Sequence, residues 1–263
     1  MLVICYGMAK SGSTLAYELV KGVLESAGHS QEKVDSVAFR RQQKHGNYMA
    51  EISREALEDA FENIGPDRIV AAKTHMPLPD ELYGWAEEMQ AARKLQVIAS
   101  YRDPRDICLS LIDHSKRSRE LGQDSYAALR NLDRASRAVE KAIRKFRQWA
   151  SLEGSLRLFY ETVAFSPDEA IDAIERALGV SADHEQAKQH AFEDSFTQRN
   201  KASARNRYIE EMDDAQKAEM LEKFGPFIAD VCGRNDQAWF DAHRSEARAR
   251  MGSEARGRAG GGG

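Results

Sequence analysis

The opening of the chain constrains its fold most. Leu2-Val3-Ile4-Cys5-Tyr6 is a short continuous apolar run with β-branched members. Such a run reads as a strand buried on both faces of a parallel sheet. Gly7 to Ser13 then forms a turn with two glycines and a lysine. From Thr14 to Ala27, Leu15, Leu19, Val20, Val23 and Leu24 recur at helical spacing, and Gly28 supplies the stop. The order is strand, glycine loop, helix.

The rest of the chain repeats the alternation. Residues 29–50 are polar and suggest no element. Ile52 to Ile64 is amphipathic and closes at Gly65-Pro66. Ile69 to Ala72 is a second strand, which runs into Lys73-Thr74-His75-Met76-Pro77-Leu78-Pro79, where two prolines forbid helix. A helix is predicted over Asp80 to Ala92, a third strand over Leu95 to Tyr101, and a helix over Pro104 to His114. A long helix follows over Asp124 to Ala150, with Leu129, Leu132, Val139, Ile143, Phe146 and Trp149 on or near one face. Leu156 to Tyr160 is the fourth strand, and Pro167 to Leu178 a helix ending at Gly179. The remainder is helix-rich apart from a basic irregular segment, Ser195 to Met212. The expected class is α/β, a parallel sheet flanked by helices, with ligands at the carboxyl ends of the strands. We expect one domain over residues 1–251 and a disordered glycine- and arginine-rich tail over 252–263.

Composition limits the function. The chain has 263 residues and a formal net charge of −4. That charge argues against a wholesale nucleic-acid binder, so any anion site must be local. The three cysteines, Cys5, Cys108 and Cys232, are scattered and lack metal-ligand spacing. They are expected to be reduced and mostly buried, with no metal. No apolar run approaches the ~20 residues of a membrane helix, and no signal peptide is visible, which leads us to expect a cytoplasmic protein.

Four places carry chemistry. In the first, Tyr6-Gly7-Met8-Ala9-Lys10-Ser11-Gly12-Ser13-Thr14, backbone N–H groups at a helix start, hydroxyls and an ammonium favour an anion. A triphosphate loop reads GxxxxGK[ST], but here the lysine precedes the last glycine, so triphosphate is not implied. In the second, Lys73 and His75 lie two residues apart in an extended segment, with both side chains directed to one face. A histidine beside a cation stays neutral and suits a general base. In the third, Arg102 ends a strand and Ser110 lies two turns into the helix opened by Pro104, a second anion site. The plain alternative there is a surface pairing of Arg102 with Asp106, which contributes little. In the fourth, Tyr160 ends a strand either as a ligand contact or as a core residue capping the sheet.

Together and in this order, the four segments resemble the sulfotransferases that use 3′-phosphoadenosine 5′-phosphosulfate (PAPS). The family's first motif, close to PKSGTTW, stands here as Ala9-Lys10-Ser11-Gly12-Ser13-Thr14-Leu15. KTHLP of the cytosolic branch stands as Lys73-Thr74-His75-Met76-Pro77, and the arginine with a serine eight residues on stands as Arg102 and Ser110. Phe159-Tyr160-Glu161 matches the FYE of the last strand. The resemblance runs from residue 3 to about residue 180. It implies the sulfotransferase fold, with PAPS as co-substrate, 3′-phosphoadenosine 5′-phosphate (PAP) as product, and no metal. It implies that Lys10 supports the leaving group, that Ser11, Gly12, Ser13 and Thr14 hold the 5′-phosphate, and that His75 is the base. Lys73 would stabilise the transferring sulfuryl group, Arg102 and Ser110 would grip the 3′-phosphate, and Tyr160 would touch the nucleotide. Of the late RKGxxGxW loop, the best counterparts are Lys201, Arg205 and Arg207, for which a solvated basic loop is an equal reading. Two positions depart from the family: Ala9 replaces proline, and Leu15 replaces the tryptophan that stacks on adenine.

The resemblance implies a small-molecule acceptor with a hydroxyl or amine. Two other classes stay open on the residues: a small-molecule kinase using ATP and Mg²⁺, and a non-catalytic nucleotide-binding module. The lysine position weighs against the first, and the pair Lys10 and His75 against the second.

Overall fold

The protein is described by a computed structural model over residues 1–39, 46–123, 126–195 and 206–231. Lys201, Arg205, Cys232 and the tail over 252–263 lie outside the described residues. The chain divides into two units, Met1–Tyr101 with Val139–Thr197, and Arg102–Ala138 with Gln198–Gly263.

The first unit is built on a parallel sheet. Strand β1 (Leu2–Gly7) leads into helix α1 (Ser13–Ser26), and the chain then forms β2 (Tyr48–Met49), α2 (Arg54–Ile64) and β3 (Val70–Thr74). Helix α3 (Tyr83–Ala91) precedes β4 (Leu95–Tyr101), and β5 (Leu156–Phe159) comes after the long helix α5 (Leu132–Ala150). Helices α6 (Tyr160–Phe165), α7 (Pro167–Leu178) and α8 (His184–Gln189) complete the unit, with a π turn over His190–Asp194. The sheet order is β2-β3-β1-β4-β5. All pairings are parallel.

Strand β1 is therefore central. The chain builds β2 and β3 on one side of it and β4 and β5 on the other. That reversal makes the carboxyl end of β1 the switch point, where open α/β sheets leave a crevice. Leu2, Val3 and Ile4 are fully buried, as the two-faced apolar run requires. One face packs Leu19, Val20, Val23 and Leu24 of α1 against Val163, Ile171, Ile174 and Leu178 of α6 and α7.

Helix boundaries follow their caps. Ser53 accepts from the Ala56 N–H and opens α2, while Gly179, at φ 69°, ends α7 after Pro167 begins it. Several expectations are corrected. The sheet has five strands rather than four, because two-residue β2 is too short to show a period. Over 80–92 a 3₁₀ turn, Asp80–Leu82, comes before α3. The long helix starts at Leu132 rather than near Asp124, because the Asn131 side chain accepts from the Arg134 N–H and caps it there. Strand β5 ends at Phe159, and Tyr160 opens α6.

The second unit contains α4 (Pro104–Glu120), the start of α5, α9 (Arg207–Glu211) and α10 (Asp214–Val231). Helix α4 runs six residues past the predicted His114. Asp103 caps it through the Arg105 N–H, and Pro104 occupies its first turn. Ile107, Leu111, Ala135, Met220 and Phe224 are among this unit's buried apolar residues. Cys5 and Cys108 are buried free thiols, as expected. No helix among the described residues is long and apolar enough to cross a membrane.

Candidate active site

The loop after β1 is tight and strained. The Ser11 N–H and Oγ both donate to the Met8 carbonyl, at 3.1 and 2.8 Å. Lys10 sits in the left-handed region at φ 67°, which costs a residue with a Cβ about 1–2 kcal/mol. Gly12 caps α1 at φ 75° and offers no side-chain hydrogen bond. A Cβ on Gly12 would lie 2.3 Å from Tyr160 Cδ2. Glycine is thus required there twice, by conformation and by the tyrosine ring lying across it. The first turn of α1 is left without a side-chain cap, so its N–H groups are set for an anion. These features fit a phosphate-bearing substrate at the loop.

Strand pairing brings the second motif to the first. Cys5 pairs with Lys73 and Tyr6 with Thr74, so the next pair in register is Gly7 with His75. Lys73 is 3% exposed. It donates through Nζ to Thr14 Oγ1 at 2.7 Å. Burial pushes its ammonium down to about 8, opposed by the charge of Glu18 on α1. His75 Nδ1 lies 2.6 Å from the Gly7 carbonyl oxygen. A carbonyl only accepts, so Nδ1 carries the proton and, in the neutral ring, Nε2 carries the lone pair. Tyr48 stands edge-on to the imidazole, with ring centroids 6.1 Å apart.

The first unit therefore brings together the backbone of the loop with Lys10, Ser11, Gly12, Ser13 and Thr14, and Lys73, His75 and Tyr160. Tyr160 is 8% exposed, and its ring lies over Gly12 rather than at a strand end. Leu15 is partly buried and packs against the core cluster of α1, α6 and α7.

The second unit contains the remaining candidates. Arg102 is the first residue after β4. Its Nη2 donates to Asp106 Oδ2 at 3.1 Å, with the side chains 3% and 0% exposed. The pairing that the sequence offered as a surface alternative is therefore a buried one, and it is costly to break. Burial raises the Asp106 carboxyl against the pull of Arg102, and Asp106 Oδ1 also accepts from the Tyr208 N–H. Arg105 donates to both oxygens of Asp103 and stacks on the Tyr208 ring at 3.6 Å. The Ser110 hydroxyl, half-buried on α4, makes no hydrogen bond within the described residues. Arg207 donates to Asp113 at 2.7 Å and Glu211 at 2.6 Å, and these bonds raise its guanidinium further. Its charge is thus already matched by two carboxylates.

Sequence reasoning missed Glu18 and Trp149. Each is one member of a helical apolar or amphipathic pattern, and nothing local marks it as near the site. It also missed Asp172, Glu175 and His184 on α7 and α8, whose ligand-type atoms lie within 4.8 Å of one another. His184 there pairs with Asp168 and Glu175, and Lys188 with Asp168, which makes an exposed ion-pair network.

The glycine loop and the start of α1 thus follow the central strand of a parallel sheet, at its carboxyl end. The sequence profile of the Sulfotransferase domain family matches residues 2–225, and the chain belongs to that family. Among solved structures, it is similar to mouse sulfotransferase SULT7A1 complexed with PAP, at 15% identity and a TM-score of 0.55, over 95% of this chain and 88% of that one. It is also similar to a sulfotransferase from Alicyclobacillus acidocaldarius at 17% identity and a TM-score of 0.46, over 90% of this chain and 97% of that one. At 15% identity the likeness to the mouse structure speaks for the fold. No curated protein sequence gives a significant match.

Proposed function

We propose that this sulfotransferase moves a sulfuryl group from PAPS to a hydroxyl or amine of a small acceptor, with His75 as general base. The observation that carries the reading is the bond from His75 Nδ1 to the Gly7 carbonyl, which leaves Nε2 as the acceptor for a proton. PAPS, as substrate, supplies the activated sulfuryl group. In the transfer, the acceptor oxygen or nitrogen bonds to sulfur as the bond from sulfur to the 5′-phosphate oxygen breaks. His75 Nε2 takes the acceptor's proton.

The residues around the loop have matching parts. Lys10 supports the oxygen that leaves with PAP, and the backbone of Gly12, Ser13 and Thr14 with the hydroxyls of Ser13 and Thr14 holds the 5′-phosphate, while Ser11, whose N–H and hydroxyl both donate to Met8, shapes the loop. Lys73, fixed on Thr14, stabilises charge on the transferring group. In-line transfer spreads charge over oxygens, so fixed donors and cations lower the barrier. Arg102 and Ser110 hold the 3′-phosphate, and Tyr160 contacts the nucleotide above Gly12. Lys201 and Arg205 belong to the same assignment. Arg207 would have to exchange Asp113 or Glu211 for phosphate, which makes it the weakest member. No step calls for a metal.

The reading is tested by thermal melts. PAP at 100 times its Kd should stabilise the protein by about 2.7 kcal/mol without Mg²⁺. Stabilisation by Mg-ATP alone would favour the kinase reading and end this one.

A further inference from the structure

We propose that Trp149 is a positioning residue for His75, acting through the backbone of Met76. The proposal rests on reading His75 as the base.

His75 sits where the chain leaves the sheet. On its N-terminal side, the pairing of Thr74 with Tyr6 holds the backbone. On its C-terminal side the ladder has ended, and Pro77 has no N–H to offer. Side chains take over at Met76. The Met76 N–H donates to Thr74 Oγ1 at 3.0 Å, and that hydroxyl donates to the Met49 carbonyl at 2.9 Å. The Met76 carbonyl accepts from the indole Nε1–H of Trp149 at 2.9 Å. Both polar groups of this one peptide residue are therefore fixed. The Met76 side chain, in contrast, is 36% exposed.

Trp149 is itself held rigidly. It is 0% exposed near the end of α5. Its ring stacks on Tyr6, with centroids 6.4 Å apart and planes at 24°. The Tyr6 hydroxyl donates to the Ala142 carbonyl of the same helix at 3.2 Å. Tyr6 directly precedes Gly7, whose carbonyl orients the imidazole. Helix α5 thus secures both sides of the His75–Gly7 bond, Gly7 through the Tyr6 ring and Met76 through the indole N–H. Packing alone would be met by an apolar bicyclic ring of the same shape. The N–H is needed because the carbonyl beside the base requires a donor.

The test compares three proteins with wild type: Trp149→Phe, a protein with 3-benzothienylalanine at position 149, and His75→Gln. The benzothienyl ring keeps the indole shape and lacks the donor, so it serves if the phenylalanine variant fails to fold. Histidine is labelled with ¹⁵N, and spectra are taken at alkaline pH where the rings are neutral. The His75 signal is the one lost in His75→Gln. Wild type should show the Nδ1–H tautomer. Without the indole donor, the Nδ1–H should exchange with water about tenfold faster, the effect of losing one neutral hydrogen bond, or the Nε2–H tautomer should become populated. PAP affinity should be unchanged. An unaltered tautomer and exchange rate in the benzothienyl protein overturns the proposal. If the spectra respond but His75→Gln turns over PAPS at the wild-type rate, the base assignment fails while the positioning contact stands.

Discussion

Replacing Lys73 with methionine isolates the cost of burying a cation in the substrate-free protein. Lys73 is almost inaccessible, bonded to Thr14 Oγ1, and lowered from 10.5 to about 8 chiefly by burial. In the unfolded chain the same ammonium stays protonated to about pH 10.4. Between these values the unfolded state binds more protons than the native state. Stability from this group therefore rises with pH over that window, and below about pH 8 the whole penalty is present. At 1.36 kcal/mol per pH unit, the interval amounts to about 3 kcal/mol. Urea unfolding of wild type and Lys73→Met at several pH values separates this group from all others. The stability of wild type relative to the variant should rise by about 3 kcal/mol between about pH 7.5 and 10.5. A difference that stays constant within about 1 kcal/mol would refute the buried-cation argument. The variant should also lose sulfuryl transfer, since methionine offers no charge to the transferring group. In the proposed function, that penalty is the counterpart of keeping a cation ready for an anionic substrate.

Other outcomes follow from the same geometry. His75→Ala should lower kcat by ~10²-fold or more with PAP affinity nearly intact; steady-state PAP release and a PAP titration measure the two. Arg102→Ala should weaken PAP far more than AMP in calorimetry, and equal losses would remove Arg102 from the 3′-phosphate. Gly12→Ala places a methyl against the Tyr160 ring at a φ of 75°, and should cost about 2 kcal/mol or more in chemical denaturation and abolish PAP binding.

The sequence by itself determined the class of fold and the order of its parts. The apolar run at Leu2–Tyr6, the glycine loop and the periodic helix are local patterns, and a strand or helix follows from local spacing. Strand β4 and helix α7 fall where the residues predict. The motifs at Lys10, His75 and Arg102 were legible for the same reason, since each is contiguous. Boundaries were less legible where a single cap decides, as at Asn131, or where a strand has two residues, as at Tyr48–Met49.

Tertiary structure alone decided how the candidate residues come together. Register, which depends on strands 68 residues apart, put His75 against Gly7 and so fixed which ring nitrogen bears the proton. Burial, which no single residue encodes, turned an exposed-looking Arg102–Asp106 pair into an enclosed one and lowered Lys73. Chain packing laid Tyr160 on Gly12 and brought Trp149 to Met76 across 73 positions. Hydrogen bonds and desolvation depend on distances in space, and those distances exist only once the sheet has closed the chain on itself.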